Sequence, residues 1–304
     1  MSWNNESIEA LCKLNGVEFR ETVNKSFAKM LQDTEPEVVL QPASVTNTKF
    51  KGPKSDIPIR IYTPDSDGCV KLPAVVFYRG GGFINGGLDS HDSTCRRLCV
   101  KSGAVIISVD YRVAPEHPFP AAVDDCYAAL QYVHQNADAL NIDASRVAVA
   151  GDSSGGTLTA VVTIMARDNN GPSIKFQCLI YPPTDFTTDY SKHQPHEGAL
   201  LRRETINLQD NYLQDYNHRE DIRVSPLKAD LTGLPSAWVF VAEYDPLTPE
   251  SIAYVEKLQS QSVSVELVTA PGADHGIFTF PSNLSPDTVR YQEAAAAAIK
   301  KALS

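Results

Sequence analysis

Short apolar runs alternate with helical patterns along most of this chain, and this alternation restricts the fold more than any other feature of the sequence. The runs are rich in Val, Ile, Leu and aromatic residues, as buried strands are. They occupy Ile57–Tyr62, Ala74–Tyr78, Val105–Val109, Val147–Ala150, Cys178–Tyr181, Trp238–Ala242 and Val263–Val268. Helical patterns fill several of the gaps, at Ala121–Gln135, Gly156–Arg167, Pro249–Gln259 and Asp287–Leu303. With Thr46–Phe50 as a weak first strand, the pattern predicts an α/β fold: an eight-stranded, mostly parallel sheet with helices on both faces.

Two segments depart from this alternation, and we interpret them as parts of a cap. Near the N-terminus, apolar residues recur every four positions, at Phe19, Val23, Phe27 and Leu31, which indicates a helix. Residues 186–223 carry many Lys, Arg and His and few apolar residues, which favours a polar helical insertion over its alternative, a solvated loop. We therefore expect helices in residues 1–45 to join a cap, and residues 46–304 to form the main domain, with a cap insertion at about 186–225.

Net charge and hydropathy argue against two classes of partner. The formal net charge of −10 repels phosphate backbones, so we expect no nucleic-acid partner. No stretch approaches the roughly 18–20 apolar residues of a membrane span, and the polar, acidic Met1–Glu6 lacks the order of a signal peptide. These features predict a cytoplasmic protein.

The six cysteines are too few for a disulfide scaffold in a chain of 304 residues. They are Cys12, Cys69, Cys95, Cys99, Cys126 and Cys178. Cys95 and Cys99 are spaced to share a helix face, but no neighbouring Cys or His completes a zinc set. We expect six buried or half-buried thiols in a reducing compartment, with no metal site.

The segment Gly151-Asp152-Ser153-Ser154-Gly155 matches the pattern G-x-S-x-G. It follows the apolar run Val147–Ala150 and opens a helical pattern, which is the strand–turn–helix context of a nucleophile elbow. In such a turn the glycines leave room for the backbone, and the central hydroxyl is exposed to a substrate carbonyl. The context predicts that Ser153 is a nucleophile.

A serine nucleophile needs a neighbouring base, and in this fold class the acid and the histidine follow the serine in the chain. Asp245 comes after the strand Trp238–Ala242, and His275 lies in the loop after the last predicted strand. Glu243 and Asp274 are the rival acids, but Glu243 still lies at a strand end and Asp274 adjoins His275. The other six histidines fall in predicted helices, the polar insertion or a proline-rich loop. Order and position therefore predict the triad Ser153, Asp245 and His275.

A glycine-rich loop, Arg79-Gly80-Gly81-Gly82-Phe83, directly follows the strand Ala74–Tyr78. Glycines allow the backbone to approach a reacting carbonyl and to aim N–H groups at a developing oxyanion. The residue after the nucleophile, Ser154, supplies a further N–H. Phosphate binding is the alternative for such a loop, but neither G-x-x-x-x-G-K-[ST] nor G-x-G-x-x-G occurs in the chain.

Taken in order, these blocks resemble the hormone-sensitive-lipase-like family of α/β-hydrolase carboxylesterases. The resemblance runs from about Ile57 onward and is carried by the glycine loop, Asp110-Tyr111-Arg112-Val113-Ala114-Pro115-Glu116, Phe119-Pro120-Ala121-Ala122, Gly151–Gly156, Asp245-Pro246-Leu247 and His275-Gly276. It implies an α/β-hydrolase fold with a helical cap. It also implies cofactor-free hydrolysis of short- to medium-chain acyl esters, with Gly81, Gly82 and Ser154 giving the oxyanion N–H groups.

The chain departs from the family pattern at two positions. Ser154 replaces the more common Ala, which leaves the backbone donor in place, and Arg79 replaces the usual His of His-Gly-Gly-Gly. Two hypotheses follow for Arg79. It supports the glycine loop together with Gly80, or it points into the pocket and recognises a negative charge on the substrate.

The sequence thus predicts a serine carboxylesterase that acts on a small-molecule ester. Two alternatives remain on the same fold: an amide or formamide hydrolase, and a catalytically silent small-molecule receptor. The receptor predicts loss of a triad residue, and all three are present. A homodimer is left open.

Overall fold

One eight-stranded sheet forms the centre of the computed structural model, which describes residues 14, 16–32, 39–189 and 209–304, with backbone only for 26–32. Its strands are β1 Ser44–Lys51, β2 Asp56–Thr63, β3 Leu72–Tyr78, β4 Val105–Val109, β5 Ile142–Asp152, β6 Phe176–Ile180, β7 Ala237–Ala242 and β8 Val265–Ala270. The helices of known extent are α1 Gly16–Gln32, α2 Asp92–Ser102, α3 Ala121–Gln135, α4 Ser154–Asp168, α5 Thr248–Ser260 and α6 Pro286–Leu303.

The strands lie in the order β1-β2-β4-β3-β5-β6-β7-β8. β1 pairs antiparallel with β2, and β2 antiparallel with β4, whereas all later pairs are parallel. The carboxyl ends of β5, β7 and β8 therefore meet at one edge of the sheet, where ligands bind in open α/β sheets. The eight-stranded, mostly parallel sheet predicted from the sequence is confirmed.

Helices cover both faces of the sheet because its central strands are apolar on both sides. Val76 of β3 faces a core that contains Leu130 of α3 and Val161 of α4. Its neighbour Val75 faces the opposite core, together with Leu98 of α2 and Ile299 of α6. A third cluster packs α5 against β7 on the same face as α3 and α4.

The cap predicted from the sequence falls partly outside the described residues, which omit 1–13, 15, 33–38 and 190–208. Helix α1 is present, and Phe19 on it is buried. The insertion between β6 and β7 also contributes to the core, because its residues Phe186, Tyr212 and Leu213 are buried there. The rings of Phe83 and Tyr212 stack at 3.8 Å, so the described part of the insertion packs on the glycine loop.

Several details differ from the sequence prediction. The strand expected at Val263–Val268 is Val265–Ala270, because the N–H of Val263 bonds to the carbonyl of Leu258 and closes the turn after α5. Helix α2 is not one of the four helical patterns that fill the gaps between the predicted strands; only the spacing of Cys95 and Cys99 indicates it, and both lie on its buried face. Cys69 is exposed, whereas Cys95, Cys99, Cys126 and Cys178 are buried.

None of the helices in the described ranges combines the length and the apolar character that a membrane crossing requires.

Candidate active site

The tight turn between β5 and α4 presents Ser153 at the carboxyl edge of the sheet. Ser153 has φ 51° and ψ −123°, a conformation that is strained for a residue with a side chain. The turn is possible because Gly155 lets α4 approach β3: a Cβ there would collide with the carbonyl oxygens of Tyr78 and Arg79. The geometry is that of a nucleophile elbow.

His275 lies between Ser153 and Asp245 and makes a hydrogen bond with each. Its Nε2 is 2.9 Å from Oγ of Ser153, and its Nδ1 is 2.6 Å from Oδ2 of Asp245. Asp245 is 3% exposed and accepts the N–H of Leu247 through its other oxygen. A continuous line from hydroxyl to imidazole to carboxylate is the arrangement that activates a serine hydroxyl. The rival acid Glu243 instead accepts the N–H of Gly272.

Tyr181, at the end of β6, packs against the imidazole of His275 and was not singled out from the sequence. The two ring centroids are 4.5 Å apart. Tyr181 has φ 36°, and its N–H bonds to the carbonyl of Phe240, so the backbone of β7 holds this unusual conformation. Burial raises the pKa of its hydroxyl well above the ordinary value, so the side chain is neutral.

The glycine loop turns sharply beside the serine. Gly81 has φ 122°, a value that only glycine adopts readily, and its carbonyl accepts the N–H groups of Ile84 and Asn85. Gly80 donates its N–H to Oδ1 of Asp152 at 2.9 Å. Gly81 and Gly82 line the same cavity as Ser153. Ser154 is the first residue of α4, so its N–H has no acceptor within the helix.

Comparison with known proteins assigns the family. A family model for the alpha/beta hydrolase fold matches residues 75–279. The carboxylesterase NlhH of Mycobacterium tuberculosis is 43% identical over 262 residues, which are 82% of this chain and 79% of that protein. The chain belongs to the α/β-hydrolase family. The resemblance drawn from the motifs is confirmed.

Other relatives of this α/β-hydrolase extend the match. An ethyl acetate hydrolase of Pseudomonas putida is 36% identical over 224 residues, 72% of this chain and 70% of that protein. The crystal structure of EstE1, a thermophilic carboxylesterase cloned from a metagenomic library, superposes with a TM-score of 0.88. It shares 36% identity and covers 96% of this chain and 98% of its own. The expected enzyme class, a carboxylic ester hydrolase, is confirmed at the level of the family.

Arg79 is the first residue of the glycine loop of this hydrolase, and it is 1% exposed because its side chain folds beneath the loop. Its Nη1 donates to the carbonyl of Asn85 at 2.6 Å, and its Nη2 donates to the carboxylate of Asp110 at 3.1 Å and the carbonyl of Tyr111 at 3.2 Å. The guanidinium also lies over the Tyr111 ring, 4.4 Å from its centroid, and the Tyr111 hydroxyl donates to the carbonyl of Arg79. These contacts favour the hypothesis of loop support over that of substrate charge recognition.

His91, immediately before α2, lies in the site although its sequence context gave no sign of this. It is 8% exposed and lines the cavity. Its Nε2 is 3.2 Å from Oδ2 of Asp152, and its Nδ1 is 2.8 Å from Oγ of Ser90. Because the other oxygen of Asp152 binds Gly80, this carboxylate connects His91 to the glycine loop. The polar stretch Leu88–Asp92 offers no motif that would have identified it.

A cavity of about 290 Å³ opens over Ser153 and His275. Phe19, Val23 and Asn24 of α1 form one wall, so the N-terminal helix joins the glycine loop in shaping the site. In the described ranges, no three His, Cys, Asp or Glu side chains converge as metal ligands would.

Proposed function

We propose that this α/β-hydrolase is a serine carboxylesterase that cleaves short- to medium-chain acyl esters through an acyl-enzyme intermediate. The observation that carries the proposal is the hydrogen-bonded line Ser153–His275–Asp245, whose first two residues line the cavity. Names of the relatives, among them carboxylesterases and an ethyl acetate hydrolase, support the substrate class. The cavity volume also suits a small ester.

In the first half of the reaction, Oγ of Ser153 attacks the ester carbonyl carbon while Nε2 of His275 takes the hydroxyl proton. Asp245 holds the imidazole in the tautomer with hydrogen on Nδ1 and stabilises the imidazolium that forms. The N–H groups of Gly81, Gly82 and Ser154 stabilise the oxyanion of the tetrahedral intermediate. His275 then gives its proton to the leaving alcohol, and the acyl group remains on Ser153.

In the second half, His275 removes a proton from water, whose oxygen attacks the acyl carbon. Collapse of the second tetrahedral intermediate releases the carboxylic acid and returns the proton to Ser153. Every proton transfer in the cycle uses Nε2 of His275, which is already within 2.9 Å of the serine oxygen. The reaction draws only on protein groups and water.

The test combines turnover with covalent labelling. Purified protein is expected to hydrolyse p-nitrophenyl acetate and butyrate, and Ser153→Ala is expected to lower kcat by at least about a hundredfold while leaving the protein folded. Ser55→Ala, an exposed serine in a loop, is the matched control and should keep wild-type activity. A p-nitrophenyl phosphonate ester should react at phosphorus with Oγ of Ser153, forming the P–O bond as the bond to p-nitrophenolate breaks and the serine proton passes to His275, and mass spectrometry of the tryptic peptides locates the adduct.

The proposal fails if wild-type protein neither turns over these esters nor takes up the phosphonate at Ser153. Turnover of p-nitroanilide acyl amides at a rate matching the esters would favour the amide hydrolase. A cytoplasmic location remains a prediction from the sequence, and a homodimer is still left open.

A further inference from the structure

The guanidinium of Arg20, on helix α1, binds two separate loops of the main domain. Its Nε donates to the carbonyl of Ile84 at 2.6 Å, and its Nη2 donates to the carbonyl of Ala114 at 2.7 Å. Both terminal nitrogens also bind the carboxylate of Glu116, at 2.9 and 2.7 Å. The guanidinium thus acts as a planar fork with acceptors on three sides, a geometry that Lys does not reproduce.

The two loops that Arg20 joins are both close to the chemistry. Ile84 belongs to the turn in which Ile84 and Asn85 donate their N–H groups to the carbonyl of Gly81. Ala114 and Glu116 belong to the block Asp110–Glu116, which carries part of the family resemblance but takes no part in the triad. The N–H of Ala114 also bonds to the carbonyl of Phe83, so the glycine loop is already tied to this block.

The same helix shapes the cavity. Phe19, Val23 and Asn24 of α1 line it, on either side of Arg20 in the chain. A shift of α1 would therefore move the cavity wall and, through Arg20, the carbonyl of Ile84 and the Gly81 turn. The wall that limits the substrate and the loop that holds the oxyanion donors are connected by one side chain.

We propose that Arg20 is a positioning residue that fixes the cavity wall and the glycine loop as one unit, and so determines both the turnover rate and the size of acyl group that the site accepts. The inference rests on the proposed esterase function. Hydrogen bonding to Arg20 lowers the pKa of Glu116 below its ordinary value, as expected for a carboxylate paired with a guanidinium.

The test substitution is Arg20→Met, which removes the guanidinium and keeps an unbranched apolar side chain. Lys25→Ala is the matched control, because Lys25 lies on the same helix in an exposed ion pair with Glu21. We would measure kcat and KM for p-nitrophenyl acetate, butyrate and octanoate, with enzyme concentration taken from titration of Ser153 by the phosphonate. Amide hydrogen exchange of residues 16–32 would report how firmly α1 is docked.

Arg20→Met is expected to lower kcat for the acetate by about 10- to 100-fold, since small displacements of oxyanion donors are costly. The ratio of kcat/KM for octanoate to that for acetate should rise at least about fivefold as the wall loosens, and exchange in α1 should accelerate. Arg20→Lys should lie between wild type and Arg20→Met. Lys25→Ala should stay within about twofold of wild type in every measurement.

The inference is overturned if Arg20→Met matches Lys25→Ala in both kcat and ester preference. It is equally overturned if all three esters lose activity by one common factor with the ratio unchanged. These outcomes are distinct from failure of the esterase function, in which wild-type protein itself shows no turnover and no phosphonate uptake. Hydrogen exchange still measures the docking of α1 in that case.

Discussion

Replacing Arg79 with Met tests whether this buried arginine supports the glycine loop. The change keeps most of the side-chain volume but removes the donors that bind the carbonyls of Asn85 and Tyr111 and the carboxylate of Asp110. Asn85 lies in the turn that closes on the carbonyl of Gly81. We therefore expect the glycine loop to lose the hydrogen bonds that hold it in place, and the N–H groups of Gly81 and Gly82 to lose their alignment.

The size of the expected loss of folding free energy follows from how deeply Arg79 and Asp110 are buried. Removing one member of a buried ion pair costs about 3–5 kcal/mol of folding free energy. The side chain of Asp110 is 32% exposed and regains some hydration, which places the loss at the lower end, about 3 kcal/mol. Misplaced oxyanion donors should lower kcat by about 10- to 1000-fold, which corresponds to about 1.4–4 kcal/mol of transition-state stabilisation.

The assay compares p-nitrophenyl butyrate with a butyrate-sized ester that carries a carboxylate on its acyl chain. Arg79→Met should lower kcat for both esters by a similar factor, and Arg79→His should recover part of the loss. Arg290→Met is the control, because Arg290 is an exposed arginine in a loose ion pair with Asp287. Circular dichroism at the assay temperature establishes that each variant is folded.

Two results would refute this reasoning. Hydrolysis of the neutral ester at the wild-type kcat would show that the loop keeps its donors aligned without Arg79. A rise in KM confined to the anionic ester would instead assign Arg79 to recognition of substrate charge.

Two further predictions concern protons and thiols. The value of kcat/KM should fall towards acid pH, because His275 must be neutral to accept the Ser153 proton; a profile that stays flat until the protein unfolds in acid would count against His275 as the base. Burial raises the pKa of Cys99 to about 12, and the pKa values of the other three buried thiols are also raised. Iodoacetamide at about pH 8 should therefore modify exposed Cys69 and spare those four, as peptide mass mapping would show, and labelling of the buried thiols in native protein would contradict the described packing.

The parts of the fold and site that the sequence predicted are those encoded over short distances. The strand–turn–helix around Ser153 is contiguous, and its two glycines are required by contacts within a few residues of the turn or with the adjacent strand. The proximity of Asp245 and His275 to Ser153 could be predicted because parallel strands bring their carboxyl ends to one edge, so order along the chain predicts proximity in space. In the structure, His275 lies within hydrogen-bond distance of both Ser153 and Asp245.

The remaining site residues escaped prediction because their contacts join distant parts of the chain through loops. His91 meets Asp152 across 61 positions, and Arg20 meets Ala114 across 94. A loop has no hydrophobic period from which its path can be inferred, so neither side chain carries a local signal of its partner. The buried Tyr212 was missed for the same reason, since its insertion is dominated by polar residues that conceal a few core positions.

The proposed role of the glycine loop as an oxyanion site explains the arrangement around it. Backbone N–H groups that are to bind a substrate oxygen cannot also donate hydrogen bonds within a helix or a sheet. The segment that carries them must therefore be irregular. Its carbonyls then lack ladder donors, and buried carbonyls without partners are costly. In this hydrolase, side chains supply those donors: Arg20 at Ile84 and Arg79 at Asn85. Two arginines from different parts of the chain therefore donate to carbonyls of the same segment. Arg20 connects that segment to α1, and Arg79 connects it to the loop after β4.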